Sequence, residues 1–224
     1  KEQGFGLDGL YRIRKDSLSG IVNGIDEKIW APSTVKKIPA NFSKENLSGK
    51  KICKAELQKY FSLPLEPDIP IVSMISRLVS QKGIDEVFAP MYGSAWRICT
   101  ELKVQFVVLG SGEAWCENEI RSLGRLSNFR GYIGYDDALS HLIEAGSDFF
   151  LMPSRYEPCG LNQIYSMLYG TLPVVRNTGG LHDTVKNYDM ESGEGTGFVF
   201  NDLTPDAIFG TMRWAIETYF ERKP

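Results

Sequence analysis

One stretch of the chain places an acid where a buried strand is expected to end. Residues 148–152 form a short apolar run typical of parallel sheets, and helical spacing resumes at Gly160. Glu157 lies in the polar loop between them. Ligands bind at the carboxyl ends of strands in open α/β sheets, which makes Glu157 a candidate active-site acid. A loop salt bridge between Arg155 and Glu157, with Pro158–Gly160 as ordinary turn residues, explains the loop equally well.

Two other loops after expected strands carry groups suited to anions. Arg77 and Lys82 share one loop at a helix entry, and two such cations can neutralise a diphosphate. Thr178, Gly179 and Gly180 follow a later strand, where a hydroxyl and backbone amides can form a second anion cradle. Taken singly, Arg77 and Lys82 are more often surface charges than ligands.

The two remaining loops offer glycines and an aromatic ring. Gly110 begins a Gly-Ser-Gly segment that allows a backbone to pass close to a ligand, and Tyr135 or Tyr132 can stack on a planar base. The glycines are a poor dinucleotide fingerprint because Trp115 stands at the third glycine position, so NAD binding is disfavoured. Five loops on one expected edge therefore indicate a phosphate-bearing nucleotide joined to a polar group near Glu157.

Composition excludes several other classes of protein. The chain has 224 residues and a net charge of -3, which argues against nucleic-acid binding. No apolar run is long enough to span a membrane, which argues against membrane binding. His141 and His182 lack metal-site spacing, and the four cysteines lack C-x-x-C spacing, so we expect no metal and reduced thiols. No secretory signal is evident, which predicts an intracellular protein. The chain begins with Lys1, so we expect it to be part of a longer protein.

The elements that must position these loops alternate between apolar runs and amphipathic segments. Residues 1–45 are predicted to be an interdomain lead-in, with weak helical spacing over Leu7–Lys15 and a short strand at Leu18–Val22. Residues 46–224 are predicted to be the main domain, which begins with a helix that runs to Tyr60. Six strands are predicted, at 71–75, 104–109, 129–133, 149–152, 172–175 and 198–200. The intervening helices centre near 86–100, 116–123, 138–145 and 164–168, and a last helix runs over 205–220. The fold class is α/β, a Rossmann-like parallel sheet with helices on both faces.

These motifs resemble those of a known family over nearly the whole chain. Ser76-Arg77-Leu78 with Gln81-Lys82-Gly83, the segment 153–161, and Thr178-Gly179-Gly180-Leu181 stand in the order seen in bacterial glycogen synthases and plant starch synthases. Residues 18–30 are similar to the interdomain stretch of the same family. The resemblance implies the C-terminal, nucleotide-sugar-binding half of a retaining GT-B glucosyltransferase.

The resemblance also implies a role for each site residue. Arg77 and Lys82 would bind the ADP phosphates and stabilise the departing diphosphate in place of a metal, and Glu157 would hold the glucose hydroxyls or lie near the developing oxocarbenium ion. The remaining donor-binding residues would be Asn23 from the hinge, Gly110, Tyr135 along the adenine, Cys159, Gly160 and Leu161 around the sugar, and Thr178, Gly179 and Gly180 at the distal phosphate. Many GT-B enzymes have a second Glu eight positions after the first; Tyr165 stands there, which favours ADP-glucose.

The function implied by the resemblance is transfer of glucose from ADP-glucose to the non-reducing end of an α-1,4-glucan, with no cofactor and no metal. The family's N-terminal acceptor domain and final C-terminal helix have no counterpart in this sequence, so we expect the chain alone to have little or no transferase activity. A related GT-B enzyme using a UDP-sugar and a non-catalytic nucleotide- or glucan-binding module are the alternatives. The expected compartment is the bacterial cytoplasm, or a plastid if the source is a plant.

Overall fold

A computed structural model describes residues 6–222 of the chain and shows one six-stranded sheet. The strands are β1 (Ile71–Ile75), β2 (Gln105–Gly110), β3 (Phe129–Ile133), β4 (Phe149–Met152), β5 (Leu172–Arg176) and β6 (Phe198–Phe200). All neighbouring pairs are parallel, and the order across the sheet is β3-β2-β1-β4-β5-β6. Each strand starts and ends within one residue of its prediction, so the predicted sheet is confirmed.

Ten α-helices are described in residues 6–222. They are α1 (Asp8–Ile13), α2 (Glu27–Trp30), α3 (Ser48–Tyr60), α4 (Ile84–Phe88), α5 (Ser94–Glu101), α6 (Ala114–Leu123), α7 (Asp137–Gly146), α8 (Asn162–Leu168), α9 (Gly179–Thr184) and α10 (Pro205–Arg222). Residues from α4, α5, α6 and α10 form the largest apolar cluster on one face of the sheet. Residues from α3, α7 and α9 join clusters that include the alternate side chains of the strands, Ile71, Val107, Phe150 and Val175, so both faces are covered as predicted.

Two predicted elements are wrong in detail. The single helix predicted near 86–100 is two helices, because Pro90 disfavours a helical conformation at Ala89, which takes an extended ψ of 131°. The predicted strand at 18–22 pairs with nothing among the described residues, and Ile21 is 94% exposed. Its β-branched composition satisfied a strand pattern, but strand formation needs a partner for its backbone groups. Helix α9 was not predicted.

The part of the lead-in nearest the domain packs against it. Val35, Ile38 and Phe42 are buried in one cluster with Ala145 at the end of α7 and Tyr169 after α8. Residues from Gly6 to Ile29 contain no buried side chain. Apolar packing against the domain body therefore begins at Trp30, while a domain boundary near residue 45 stays a prediction. Within residues 6–222, no helix combines the length and apolar character that crossing a membrane requires.

Candidate active site

The sheet order places the loops after β1 and β4 side by side. The two strands are neighbours, yet the chain leaves β1 towards β2 and β3 on one side and returns to β4 on the other. Such a switch in strand order opens a crevice between the two loops at the carboxyl edge. The loop of Arg77 and Lys82 and the loop of Glu157 form the walls of this crevice.

A cavity of about 140 Å³ lies in the crevice and contains the predicted acid. Glu157 is only 9% exposed, its Oε2 lies 2.5 Å from Lys82 Nζ, and it accepts a hydrogen bond from Ser154 Oγ at 3.2 Å. The ammonium supplies the charge partner that a buried carboxylate needs. The lining of the cavity consists of Met74, Ile75, Ser76, Arg77, Lys82, Leu151, Met152, Pro153, Ser154, Glu157, Gly160, Leu161 and Asn162.

Arg155 holds the two loops together from outside the cavity. Its guanidinium donates to Asp85 Oδ2 at 3.1 Å, Glu86 Oε1 at 2.7 Å and the Ser80 carbonyl at 3.0 Å. Burial acts to raise the pKa of Asp85, but hydrogen bonds from Ser80 and Arg155 outweigh it and lower that pKa. The interpretation of Arg155 and Glu157 as a salt bridge with each other is therefore wrong, because Arg155 pairs with two acids on α4 and Glu157 pairs with Lys82.

Arg77 presents an exposed guanidinium at the mouth of the cavity. Its Nη2 donates to Gln81 Oε1 at 3.3 Å, and Gln81 in turn donates to the Tyr156 carbonyl at 3.1 Å. No acid within residues 6–222 forms an ion pair with Arg77. An uncompensated cation thus lies beside the Lys82–Glu157 pair.

The glycines of the loop after β5 pack against the Glu157 loop. A Cβ on Gly179, whose φ is +47°, would lie 2.1 Å from the Glu157 carbonyl oxygen, and one on Gly180 would lie 2.1 Å from that of Cys159. The amide of Gly180 donates to the Glu157 carbonyl at 2.9 Å, so it is engaged within the protein. The half-buried Thr178 precedes α9, and its hydroxyl makes no capping bond there. The structure brings these residues to the back of the Glu157 loop, and their contact with a phosphate stays a prediction.

Gly110 and Tyr135 lie outside the lining of the cavity. The space at Gly110 is taken by the backbone, because a Cβ there would lie 2.1 Å from the Ser76 carbonyl oxygen. Its lack of a side chain lets the loops after β1 and β2 approach each other. Tyr135 is 85% exposed after β3, which leaves its ring accessible to a ligand.

Asn23 reaches the sugar end of the expected site through its backbone. Its amide donates to Cys159 Sγ at 3.3 Å, across 136 positions of sequence. Cys159 is half-buried, whereas the other three cysteines are buried. Gly160 and Leu161 follow directly at the cavity, and within the described residues their amides donate to no protein acceptor.

Several polar residues that support the site were not predicted. Asn162 Nδ2 donates to the Ile75 carbonyl at 3.0 Å, which ties the start of α8 to the end of β1. Gln163 is fully buried and donates to the Cys159 carbonyl at 3.0 Å and to Thr184 Oγ1 at 3.1 Å. Ser154 contacts Glu157 directly. Polar residues inside an otherwise apolar helix or strand end were the available signal, but the sequence does not show which way they face.

Both histidines have protein partners. His141 Nδ1 lies 2.8 Å from the Tyr169 hydroxyl, and His182 Nδ1 lies 2.6 Å from Asn177 Oδ1. Among residues 6–222 no group of three or more His, Cys, Asp or Glu side chains is arranged to hold a metal ion.

Comparison with known proteins matches this architecture. The sequence is 58% identical over 223 residues to a glycogen synthase of Treponema denticola, covering 99% of this chain and 45% of that protein. It is 49% identical over 227 residues to soluble starch synthase 1 of Oryza sativa subsp. japonica, covering 99% of this chain and 35% of that protein. The chain thus spans less than half the length of these relatives.

A solved structure and a protein-family model are also similar to this chain. The catalytic domain of starch synthase IV from Arabidopsis thaliana, bound to ADP and acarbose, has a TM-score of 0.89 and 34% identity, covering 100% of this chain and 46% of that one. This similarity confirms the predicted GT-B-type fold. Residues 58–223 match the family Glycosyl transferases group 1. The chain therefore belongs to the group 1 glycosyltransferases.

Proposed function

We propose that this chain is the donor-binding part of a glycogen or starch synthase, a retaining enzyme that transfers glucose from ADP-glucose to the non-reducing end of an α-1,4-glucan. The observation that carries the proposal is the cavity at the sheet's switch point, where Glu157 is paired with Lys82 and flanked by the free cation of Arg77. The relatives named glycogen synthase and starch synthase support the choice of reaction. The Arabidopsis structure, which holds ADP, supports the choice of nucleotide.

Lys82 is the residue that connects the sugar and the phosphates in this proposal. Its ammonium is already within hydrogen-bond distance of Glu157, and a diphosphate entering beside Arg77 would compete for the same donor. As the bond from the sugar to the diphosphate breaks, negative charge grows on the leaving group, and two fixed cations stabilise it without a metal. Glu157 then faces the sugar, where positive charge develops.

The sugar side of the pocket would be formed by backbone rather than by charge. Gly160 and Leu161 line the cavity, and their amides can donate to glucose hydroxyls. Thr178, Gly179 and Gly180 would approach the distal phosphate, and Tyr135 would cover the adenine. These placements follow from the loops' common edge and require a bound donor for their test.

Transfer needs a second wall to hold the acceptor and exclude water. The chain spans 45% of the Treponema glycogen synthase. We therefore expect donor binding without glucan elongation, and elongation by this chain alone would contradict the proposal. The proposed compartment is the bacterial cytoplasm or, for a plant source, the plastid.

Calorimetric titration of the chain with ADP-glucose, UDP-glucose and a maltooligosaccharide tests the proposal. We expect ADP-glucose to bind most tightly, and Arg77→Ala to weaken that binding about tenfold or more, because a charge-assisted hydrogen bond is lost. Equal or tighter binding of UDP-glucose would indicate a UDP-sugar enzyme. Binding of the maltooligosaccharide alone would indicate a non-catalytic glucan-binding module.

A further inference from the structure

Trp30, at the end of α2, is stacked on two rings of the domain body. The centroid of its ring lies 3.7 Å from that of the Tyr165 ring, with an angle of 8° between the planes. The centroid of the His141 ring lies 4.1 Å away, with an angle of 22°. His141 is fully buried on α7 and is held by the Tyr169 hydroxyl at 2.8 Å. His141 is thus fixed by the fold, and Tyr165 lies on α8.

The segment before Trp30 has few other contacts with the domain. No side chain from Gly6 to Ile29 is buried, and the amide of Asn23 reaches Cys159 Sγ at 3.3 Å. Asp26 caps α2 by accepting from the Lys28 amide at 2.9 Å, which fixes the direction in which Trp30 leaves the segment. From Asn23 to Ile29 no side chain is buried, so the Trp30 stack is the nearest packed contact after Asn23.

Tyr165 connects the same stack to the Glu157 loop. It lies on α8, which begins directly after Cys159, Gly160 and Leu161. One face of its ring is covered by Trp30, so that face is unavailable to a nucleotide. In this chain Tyr165, eight positions after Glu157, contacts the segment that ends at Trp30.

We infer that Trp30 is a positioning residue, whose stack on Tyr165 and His141 keeps the Asn23 segment seated on Cys159 at the sugar end of the site. The contact itself is independent of any ligand. Its consequence for donor binding rests on the proposed function.

The reactivity of Cys159 measures whether the segment is seated. Burial raises the pKa of the Cys99 and Cys116 thiols to about 12, and burial also raises the pKa of the buried Cys53 thiol. Alkylation by iodoacetamide, followed by peptide mass spectrometry, reports Cys159 separately from these three. We expect Trp30→Ala to raise the labelling rate at Cys159 about fivefold, as the loss of one local contact allows, and Trp30→Phe to stay near the wild-type rate.

Two further variants make the test decisive. Tyr165→Leu removes the other side of the stack while leaving Trp30 in place, and it should also raise the labelling rate if Trp30→Ala does not fold. Trp96→Ala, at a ring that is 45% exposed on α5, is the matched control and should change nothing. Unchanged labelling in folded Trp30→Ala and Tyr165→Leu, or an equal rise in Trp96→Ala, would overturn the inference.

Donor binding gives a second readout that a general loss of stability would not produce. Trp30→Ala should weaken ADP-glucose binding about fivefold, which corresponds to the loss of one hydrogen bond. Because Asn23 lies at the sugar end, ADP binding should stay unchanged. Equal weakening of both ligands would contradict the positioning role. If the wild-type chain binds neither ligand, the proposed function fails, and the labelling result still decides the role of Trp30.

Discussion

The loops at the carboxyl edge of the sheet and the segment from Gly6 to Ile29 differ in how their backbones are held. In the loops, added Cβ atoms at Gly83 and Gly179 would lie 2.0 Å and 2.1 Å from the carbonyl oxygens of Pro153 and Glu157. In the segment, Cβ atoms at Gly20 and Gly24 would meet nothing within 4 Å. Glycine therefore allows two backbones to pack closely in the loops. In the segment from Gly6 to Ile29, glycine leaves the backbone exposed. The loops form a rigid cradle, while the segment is located by Trp30 and Asn23.

The largest expected effect comes from adding a methyl group to the cradle. Gly179→Ala should destabilise the folded chain by about 3 kcal/mol, because the positive φ is strained for alanine and the Cβ would collide with the Glu157 carbonyl. Gly24→Ala, in the segment, is the matched change and should stay within about 0.5 kcal/mol of wild type. Urea unfolding of both variants measures the difference. Similar midpoints would show that the cradle is not tightly packed.

Removing the guanidinium that joins the two loops should have the next largest effect. Arg155→Ala is expected to cost about 1–2 kcal/mol after allowance for its 38% exposed side chain, and to weaken ADP-glucose binding several-fold as the loop after β4 loosens. Arg97→Ala is the matched control, because Arg97 has the same exposed fraction and also pairs with two acids. Unfolding and calorimetry on both variants separate the effects. Equal loss of donor binding in the two variants would contradict a special role for Arg155.

Stability should also depend on pH through Glu144, which is buried near the end of α7. Burial raises its pKa well above the ordinary value, against the opposing charge of Lys50. Unfolding frees the carboxyl to ionise, so its contribution to stability is present below about pH 4.5 and is lost as pH rises towards the folded pKa. Glu144→Gln should match wild type near pH 4 and become more stable than wild type as the pH rises to 7. A pH-independent difference in unfolding free energy would show that Glu144 does not titrate in this way.

The smallest effect is expected on the segment itself. Ile21 is 94% exposed, so Ile21→Ser should change the unfolding free energy by less than about 0.5 kcal/mol. Thermal melts of the two chains measure this change. A fall comparable to that of Arg155→Ala would mean that the segment packs against the domain.

The sequence was sufficient to predict the strands and the three charged residues of the Glu157 cavity. Strands buried on both faces are continuous apolar runs, and the loops that follow parallel strands must share one edge. That reasoning placed Arg77, Lys82 and Glu157 together, and the structure brings them to one crevice.

What could not be predicted depends on contacts between distant parts of the chain. The adjacency of β1 and β4 comes from long-range pairing, which local pattern does not encode. The partners of Arg155 lie about 70 positions earlier in the chain. Trp30 gave no local signal for its stack on Tyr165, and Leu18–Val22 matched a strand pattern without a partner strand.

Titration of ADP into the wild-type chain and into Lys82→Gln tests the central claim most directly. We expect the wild type to bind ADP and Lys82→Gln to weaken this binding about tenfold or more, because a charge-assisted contact to the phosphates is lost. Lys186→Gln, which removes an exposed lysine paired with Glu194, should leave the affinity unchanged. A wild-type chain that does not bind ADP, or a Lys82→Gln variant that binds it as tightly as wild type, would contradict the assignment of this edge as the donor site.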